Sequence, residues 1–314
     1  MRWEFHGLII EGRAADARLA AAWARTFAPL PAAEDERPAD LWLELEMTAK
    51  APEPPAGEPD FRQPDLLEYY VRNRHVVAYF PRFGRLDIDL GQGVTRGQIL
   101  PPVLTTYGVL EDVIAIALTA HLRRRGLFLI HAFAAALAGR AALLVGAIGS
   151  GKTTTGMALL SGGWRLLSND SPLVVAGGRI LRYPGLLTAY PESFGRFEAT
   201  AHLAEATEEG RERRKMLVPA ESIWPGVWLG EAAAGAIYFP QISGEGEHAL
   251  RPLGAAEALR LLLPHAVEQW DRELIPTHLR VLRQLVETAP AYQLELGPDV
   301  AAVPALIRSG LQPK

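Results

Sequence analysis

The most constraining stretch of this chain is AALLVGAIGSGKTTTGMALL, residues Ala141 to Leu160. It opens as a short apolar run of the kind that forms a buried strand, and it closes on helix-forming residues without a breaker. Between them Gly146, Ala147, Ile148, Gly149, Ser150, Gly151, Lys152 and Thr153 fit the pattern G-x-x-x-x-G-K-[ST]. A strand that turns through such a loop straight into a helix calls for a layered α/β unit. The residue types also define what the loop can grip. Glycines let backbone N–H groups converge on phosphate oxygens with no Cβ in the way. Lys152 brings a mobile cation to β- and γ-phosphates, and Thr153 offers a hydroxyl to Mg²⁺. Thr154 extends the first turn of a helix whose positive end faces the same anions. Residues Gly146 to Thr154 are therefore the expected phosphate-binding site for a nucleotide.

Composition narrows the classes further. The chain has 314 residues and a net charge of −4, which gives no basic excess for a nucleic-acid backbone. With no cysteine, disulfides and thiolate metal sites are excluded. The longest apolar run, Val113 to Ala120, is too short to span a bilayer, and the first residues lack the apolar run of a signal peptide. The expectation is a cytoplasmic protein without a membrane partner. Arginine is the default cation, and only four lysines occur, so Lys152 and Lys215 stand out.

Two domains are expected, one over residues 1–105 and one over 106–314. The first reads as a small α+β unit: an alanine-rich helix from Ala14 and several short alternating strands, arranged as an antiparallel sheet. Ala51–Pro64 is a proline-rich connection with no helix or strand pattern. In the second, AFAAALA and AALLV are strands, GAIYFPQI is another, and HALRPL is placed as its hairpin partner. Leu159–Trp164, LLSGGW, resembles the signature of transporter ATPases. That signature belongs far downstream of a glycine loop, whereas here Gly162 and Gly163 end the same helix.

The flanks of the loop suggest chemistry. His131 lies 21 residues before Lys152, at the end of a strand next to the loop strand, and Asp170 lies 18 residues after it, just past WRLLS. Parallel strand ends at one sheet edge would bring both side chains beside a γ-phosphate. Taken singly, His131 is also compatible with a satisfied strand-end histidine, and Asp170 with a turn cap before Ser171 and Pro172.

These elements, HAFAAALAG, GAIGSGKT, GMALLSGG and WRLLSND, resemble the HPr kinase/phosphorylase family, and more closely its stand-alone relatives from peptide-modification gene clusters. The resemblance covers Leu127 to about Val175 and implies an α/β fold with an HPr-kinase-like P-loop core behind the small N-terminal α+β domain. It implies that Asp170 is the general base toward an acceptor serine, that His131 is its active-site partner, and that Lys152 and Thr153 hold phosphate and Mg²⁺. Three departures stand out. Asn169 replaces the first of two aspartates, leaving Thr153 and Asn169 as the metal candidates. Arg182 occupies the position of an expected glutamate, with Glu192 and Glu198 nearby as substitutes. No segment matches an HPr-docking region. Lys215 in RERRKMLVP corresponds to a basic catalytic loop, with Arg213 or Arg214 beside it, or else the run is a solvated basic stretch.

The implied activity is ATP- and Mg²⁺-dependent phosphorylation of a hydroxyl, a serine of a peptide or protein. The alternatives are a non-catalytic or weakly hydrolytic nucleotide-binding module and a small-molecule hydroxyl kinase. The C-terminal segment LIPTHLRVLRQLVETA is a candidate for homo-oligomer formation, or else packs on its own sheet.

Overall fold

The computed structural model describes residues 1–34, 36–205, 215–244 and 246–311. The chain is a mixed α/β structure with several sheets, divided into two compact units. One comprises Met1–Leu127 with Glu268–Ile275, and the other Phe128–Val267 with Pro276–Lys314. This division falls beyond the expected 105/106 boundary, because the helix Val109–Arg123 packs with the first unit. Arg123 and Arg124 both bind the buried carboxylate of Asp271, each at 2.9 Å.

The first unit is built on an eight-stranded sheet. Its expected antiparallel character holds only in part. Leu8–Ala14 pairs parallel with Leu41–Met47, which pairs parallel with Val94–Ile99. Parallel neighbours need a crossover, and the helix Ala17–Phe27 supplies the first. Asp16 caps that helix by accepting from the N–H groups of Arg18 and Leu19, and Trp23 and Phe27 pack against Trp3. Within the proline-rich connection, Phe61–Gln63 is a strand after all, paired antiparallel with Leu67–Arg72. On the helix Val109–Arg123, His121 is fully buried and its Nε2 lies 2.9 Å from Thr95 Oγ1.

The second unit positions the glycine loop. Its sheet runs Arg165–Ser168, Ala132–Leu137, Arg140–Val145, Glu231–Ile242. Ala132–Leu137 and Arg140–Val145 form an antiparallel hairpin, turning at Ala138 and Gly139 with φ of 49° and 78°. Two consecutive positive φ values match the twist of the flanking strands. Glu231–Ile242 then pairs parallel with the loop strand and, along its second half, parallel with Ala291–Leu296. Ala249–Leu253 pairs with Ala291–Leu296 and not, as expected, with Glu231–Ile242. The parallel neighbour from the C-terminal end takes that edge first.

Alanine dominates the two hairpin strands, and all of their alanines are buried. Such thin strands let helices approach closely. The loop helix Lys152–Ser161 uses this at Gly156, where a Cβ would stand 2.4 Å from the buried ring of Phe133. The helix ends at Gly162, whose N–H donates to Ala158 O, so Ser161–Gly163 is a helix terminus. Ile275–Thr288 buries His278, Val281, Leu282, Leu285 and Val286 within the chain. Among the described residues no helix is long and apolar enough to cross a membrane.

Candidate functional site

The glycine loop leaves Val145 at the end of its strand and reaches the helix at Lys152. Gly149 and Gly151 have φ of 85° and 98°, values a side chain would strain. A Cβ on Gly149 would meet open space, whereas one on Gly151 would stand 2.7 Å from Leu296 Cδ1. Gly151 also caps the helix without a side-chain hydrogen bond, which leaves first-turn N–H groups available to an anion. Lys152 is buried, and its Nζ donates to the carbonyls of Gly146 (2.6 Å) and Ala147 (3.1 Å). Burial lowers its pKa, the Asp170 carboxylate acts against that, and Lys215 adds to it. Lys152 thus senses charges from two other segments.

The facing edge comes from the hairpin. Ala132 pairs with Val145 at the end of the loop strand, and His131 immediately precedes that pair. Arg165–Ser168 pairs antiparallel with Ala132–Leu137 on its other side, and Ala132 N–H donates to Asp170 O at 3.0 Å. The His131 Nδ1 then lies 3.2 Å from Asp170 Oδ1, with both side chains partly exposed. The expected juxtaposition is therefore present, but by a different route. His131 precedes the strand next to the loop strand instead of ending it, and that strand runs antiparallel. An antiparallel strand starts where its neighbour ends, so the same edge receives both residues.

A further histidine, absent from the sequence expectations, joins them. The His131 N–H donates to His265 O at 2.7 Å, and the two rings lie 6.2 Å apart. Burial lowers the His265 pKa, and His131 and Lys152 push it the same way. His265 ends a short turn, Leu263–His265, after the helix Ala255–Leu262. Only Pro264 marks that turn in the sequence, and nothing there tells which sheet edge it meets.

The remaining candidates gather on the loop helix's other neighbours. Asn169 is buried; its Nδ2 donates to Thr188 Oγ1 at 3.1 Å, and its Oδ1 has no protein partner. Ser150 Oγ is likewise buried without one. Thr154 Oγ1 and Ser193 Oγ are 3.2 Å apart, and Lys215 Nζ stands 5.6 Å over the Tyr190 ring. Glu192 sits in the short helix Pro191–Phe194 and Glu198 at the start of Glu198–Thr200. Arg213 and Arg214 lie outside the described residues. Arg182, in the place of the expected glutamate, is partly buried and its pKa is lowered by that burial.

These residues fit a phosphate and a divalent cation in the following sense. Open space over Gly149, uncapped helix N–H groups and Lys152 suit an anion. Among the described residues no group of three His, Asp or Glu side chains forms a metal cage. Mg²⁺ at a nucleotide needs fewer, since phosphate oxygens and water supply most of its ligands. The Thr153 hydroxyl, the unpartnered Asn169 Oδ1 and the Asp170 carboxylate are the oxygens available.

No family model matches the chain, and no curated protein matches it. Among solved structures, the Hpr(Ser) kinase/phosphatase from Coxiella burnetii is similar at 9% identity and a TM-score of 0.29, covering 58% of this chain and 91% of that one. So loose an overlap decides no chemistry, and the functional reading rests on the side chains around the loop.

Proposed function

We propose that this chain is a kinase that transfers the γ-phosphoryl group of ATP to a hydroxyl, a serine of a peptide or protein. The observation that carries the reading is the 3.2 Å pairing of His131 with Asp170 at the edge that also holds the Lys152 loop. A grip on phosphate alone would need only the loop. A carboxylate and imidazole beside it add a proton acceptor and its orienting partner.

In this reading backbone N–H groups of residues 146–154 and the Lys152 ammonium hold the triphosphate. Thr153 and Asn169 would hold a Mg²⁺ together with the phosphates, and the ion would supply charge neutralisation for the transferred group. The acceptor oxygen forms its bond to the γ-phosphorus while the bond to the β–γ bridging oxygen breaks, and ADP leaves. The hydroxyl proton passes to Asp170. His131, whose Nδ1 stands 3.2 Å from Asp170 Oδ1, holds that carboxylate in place. Lys215, beside Tyr190 and close enough to influence Lys152, stabilises charge on the transferred group.

One observation favours a second reading. Asn169 carries no charge where a carboxylate would strengthen the metal shell, which suits a module that binds nucleotide without transferring phosphate. Incubation with γ-labelled ATP, Mg²⁺ and serine-containing peptides separates the two. Label in a peptide, lost in Asp170→Asn, supports the kinase; nucleotide binding with no transfer to any acceptor overturns it.

A further inference from the structure

The eight-stranded sheet of the first unit is apolar on one face and charged on the other. Leu43, Leu45, Thr95 and Leu86 are buried on the first face, and the residues between them alternate to the second. There the pairing registers set one row of side chains straight across four neighbouring strands. The row runs Arg13, Glu44, Arg96 and Asp87, from Leu8–Ala14, Leu41–Met47, Val94–Ile99 and Gly84–Asp89 in turn. Its charges alternate in sign. The side chains of Arg13 and Arg96 are 58% and 67% exposed, so this face is open to solvent. A cavity of about 1010 Å³ lies over the row. Small-molecule sites span about 300 to 1,000 Å³, so an opening at or above that limit suits a protein surface better than a metabolite.

Such a row is its own complement. A second copy turned by 180° about an axis parallel to the strands, midway between Leu41–Met47 and Val94–Ile99, can lie face to face on the first. Arg13 then faces Asp87 and Glu44 faces Arg96, and each pairing occurs twice, as two-fold symmetry requires. In the next row, Glu46 faces Gln98; in the preceding one, Trp42 faces Val94. The ends of that preceding row, Glu11 and Asp89, are held by their own chain. Arg2 and Arg13 pair with Glu11, and Asp89 accepts from the N–H groups of Gly91 and Gln92. The ion pairs within one chain do not exhaust the row either: Glu44 takes Arg96 at 3.1 Å and Arg13 at 3.7 Å, while Asp87 takes Arg85 of its own strand.

We propose that this face binds a second copy of the chain as a two-fold dimer of aligned sheets, whatever reaction the other unit performs. Aligned sheets stack about 10 Å apart, a gap that two facing arginine and carboxylate side chains bridge. Four strands about 4.8 Å apart and six residues at about 3.3 Å each make a patch on the order of 20 by 20 Å. That is small for a specific interface, so the dimer is weak and loosens as salt rises.

Sedimentation equilibrium of the full chain from about 1 μM to about 200 μM reads the test. The parent should dimerise reversibly, and less at high salt. Arg13→Glu and Asp87→Arg should each weaken association at least about tenfold, and the double variant should return to within about threefold of the parent. Inside one chain these two residues stand three strand spacings apart, about 14 Å, so the rescue can come only across the interface. A parent that stays monomeric overturns the proposal. So does a dimer indifferent to both single reversals, or a double variant as weak as either. If a reversal lowers the unfolding midpoint, Glu46→Cys is a milder probe, since the chain has no other cysteine. A short bis-maleimide should join two copies at concentrations where the parent is dimeric and not where it is monomeric; failure to join them overturns the proposal equally.

Discussion

His131 Nδ1 lies 3.2 Å from Asp170 Oδ1, although the glycine loop and its whole helix separate the two residues in sequence. A main-chain bond from Ala132 N–H to Asp170 O fastens the same junction. If the pair acts as a unit on the acceptor proton, Asp170→Asn and His131→Ala should each slow label transfer by about 10²- to 10⁴-fold. The double variant should be little worse than the weaker single one, because removing either partner already breaks the unit. ATP affinity should stay near that of the parent. Single-turnover transfer measured alongside equilibrium binding checks both points, and additive losses would count against a shared role.

Lys152 makes a separable prediction. Its buried ammonium rests on two loop carbonyls, and burial already disfavours its charge. Lys152→Met should weaken ATP binding at least about tenfold, since the cation facing the phosphates is gone. It should not lower the unfolding midpoint of the nucleotide-free protein, because a buried charge carries a desolvation cost that methionine lacks. Thermal unfolding with and without ATP reads both effects.

Gly156 reverses the usual helix rule. Glycine inside a helix costs about 1 kcal/mol relative to alanine. Here, however, a Cβ would lie 2.4 Å from the fully buried Phe133 ring. Overpacking of that kind costs about 1–3 kcal/mol, so Gly156→Ala should destabilise the protein despite its better propensity. Denaturant unfolding decides the sign. A Phe133→Leu background, which makes room for the added methyl, should recover part of the loss.

His121 predicts a pH dependence. Burial in the first unit pushes its pKa from 6.5 down to about 4, with the nearby Arg125 acting in the same direction. The unfolded chain takes up a proton near pH 6.5 and the folded chain only near pH 4. Stability is therefore fully present above about pH 6.5 and falls as pH drops toward about 4, by about 3 kcal/mol from this group. Urea unfolding from pH 7.5 to 4.5 should show the decline. His121→Gln, which keeps a hydrogen-bonding side chain beside Thr95, should flatten it.

The sequence made some of these relationships visible and hid others for identifiable reasons. The glycine loop was legible because phosphate geometry allows few residue types at its positions. The meeting of His131 with Asp170 followed from counting strands and a helix between them, even though the antiparallel hairpin of Ala132–Leu137 with Arg140–Val145 was not foreseen. Its turn, Ala138–Gly139, carries none of the Asn-Gly or Asp-Gly signal that marks tight reversals. The pairing of Ala249–Leu253 with Ala291–Leu296 spans two helices and a long separation, so local alternation could not reveal it. His265 and Tyr190 stayed hidden because their places depend on where turns land on the sheet. The parallel pairs of the first unit were missed because short alternating strands look alike in either direction.

The two-residue turn at Ala138–Gly139 lies at the far end of the hairpin from the loop, yet it governs which residues meet at the working edge. A change there that shifted the register by one residue would turn alternate side chains to the opposite face. His131 would lose its place beside Asp170 with every residue around the loop intact. This remote corner is thus felt at the site through strand register alone: lengthening the loop is harmless where the pairing is kept, and silences the site from a distance where it slips.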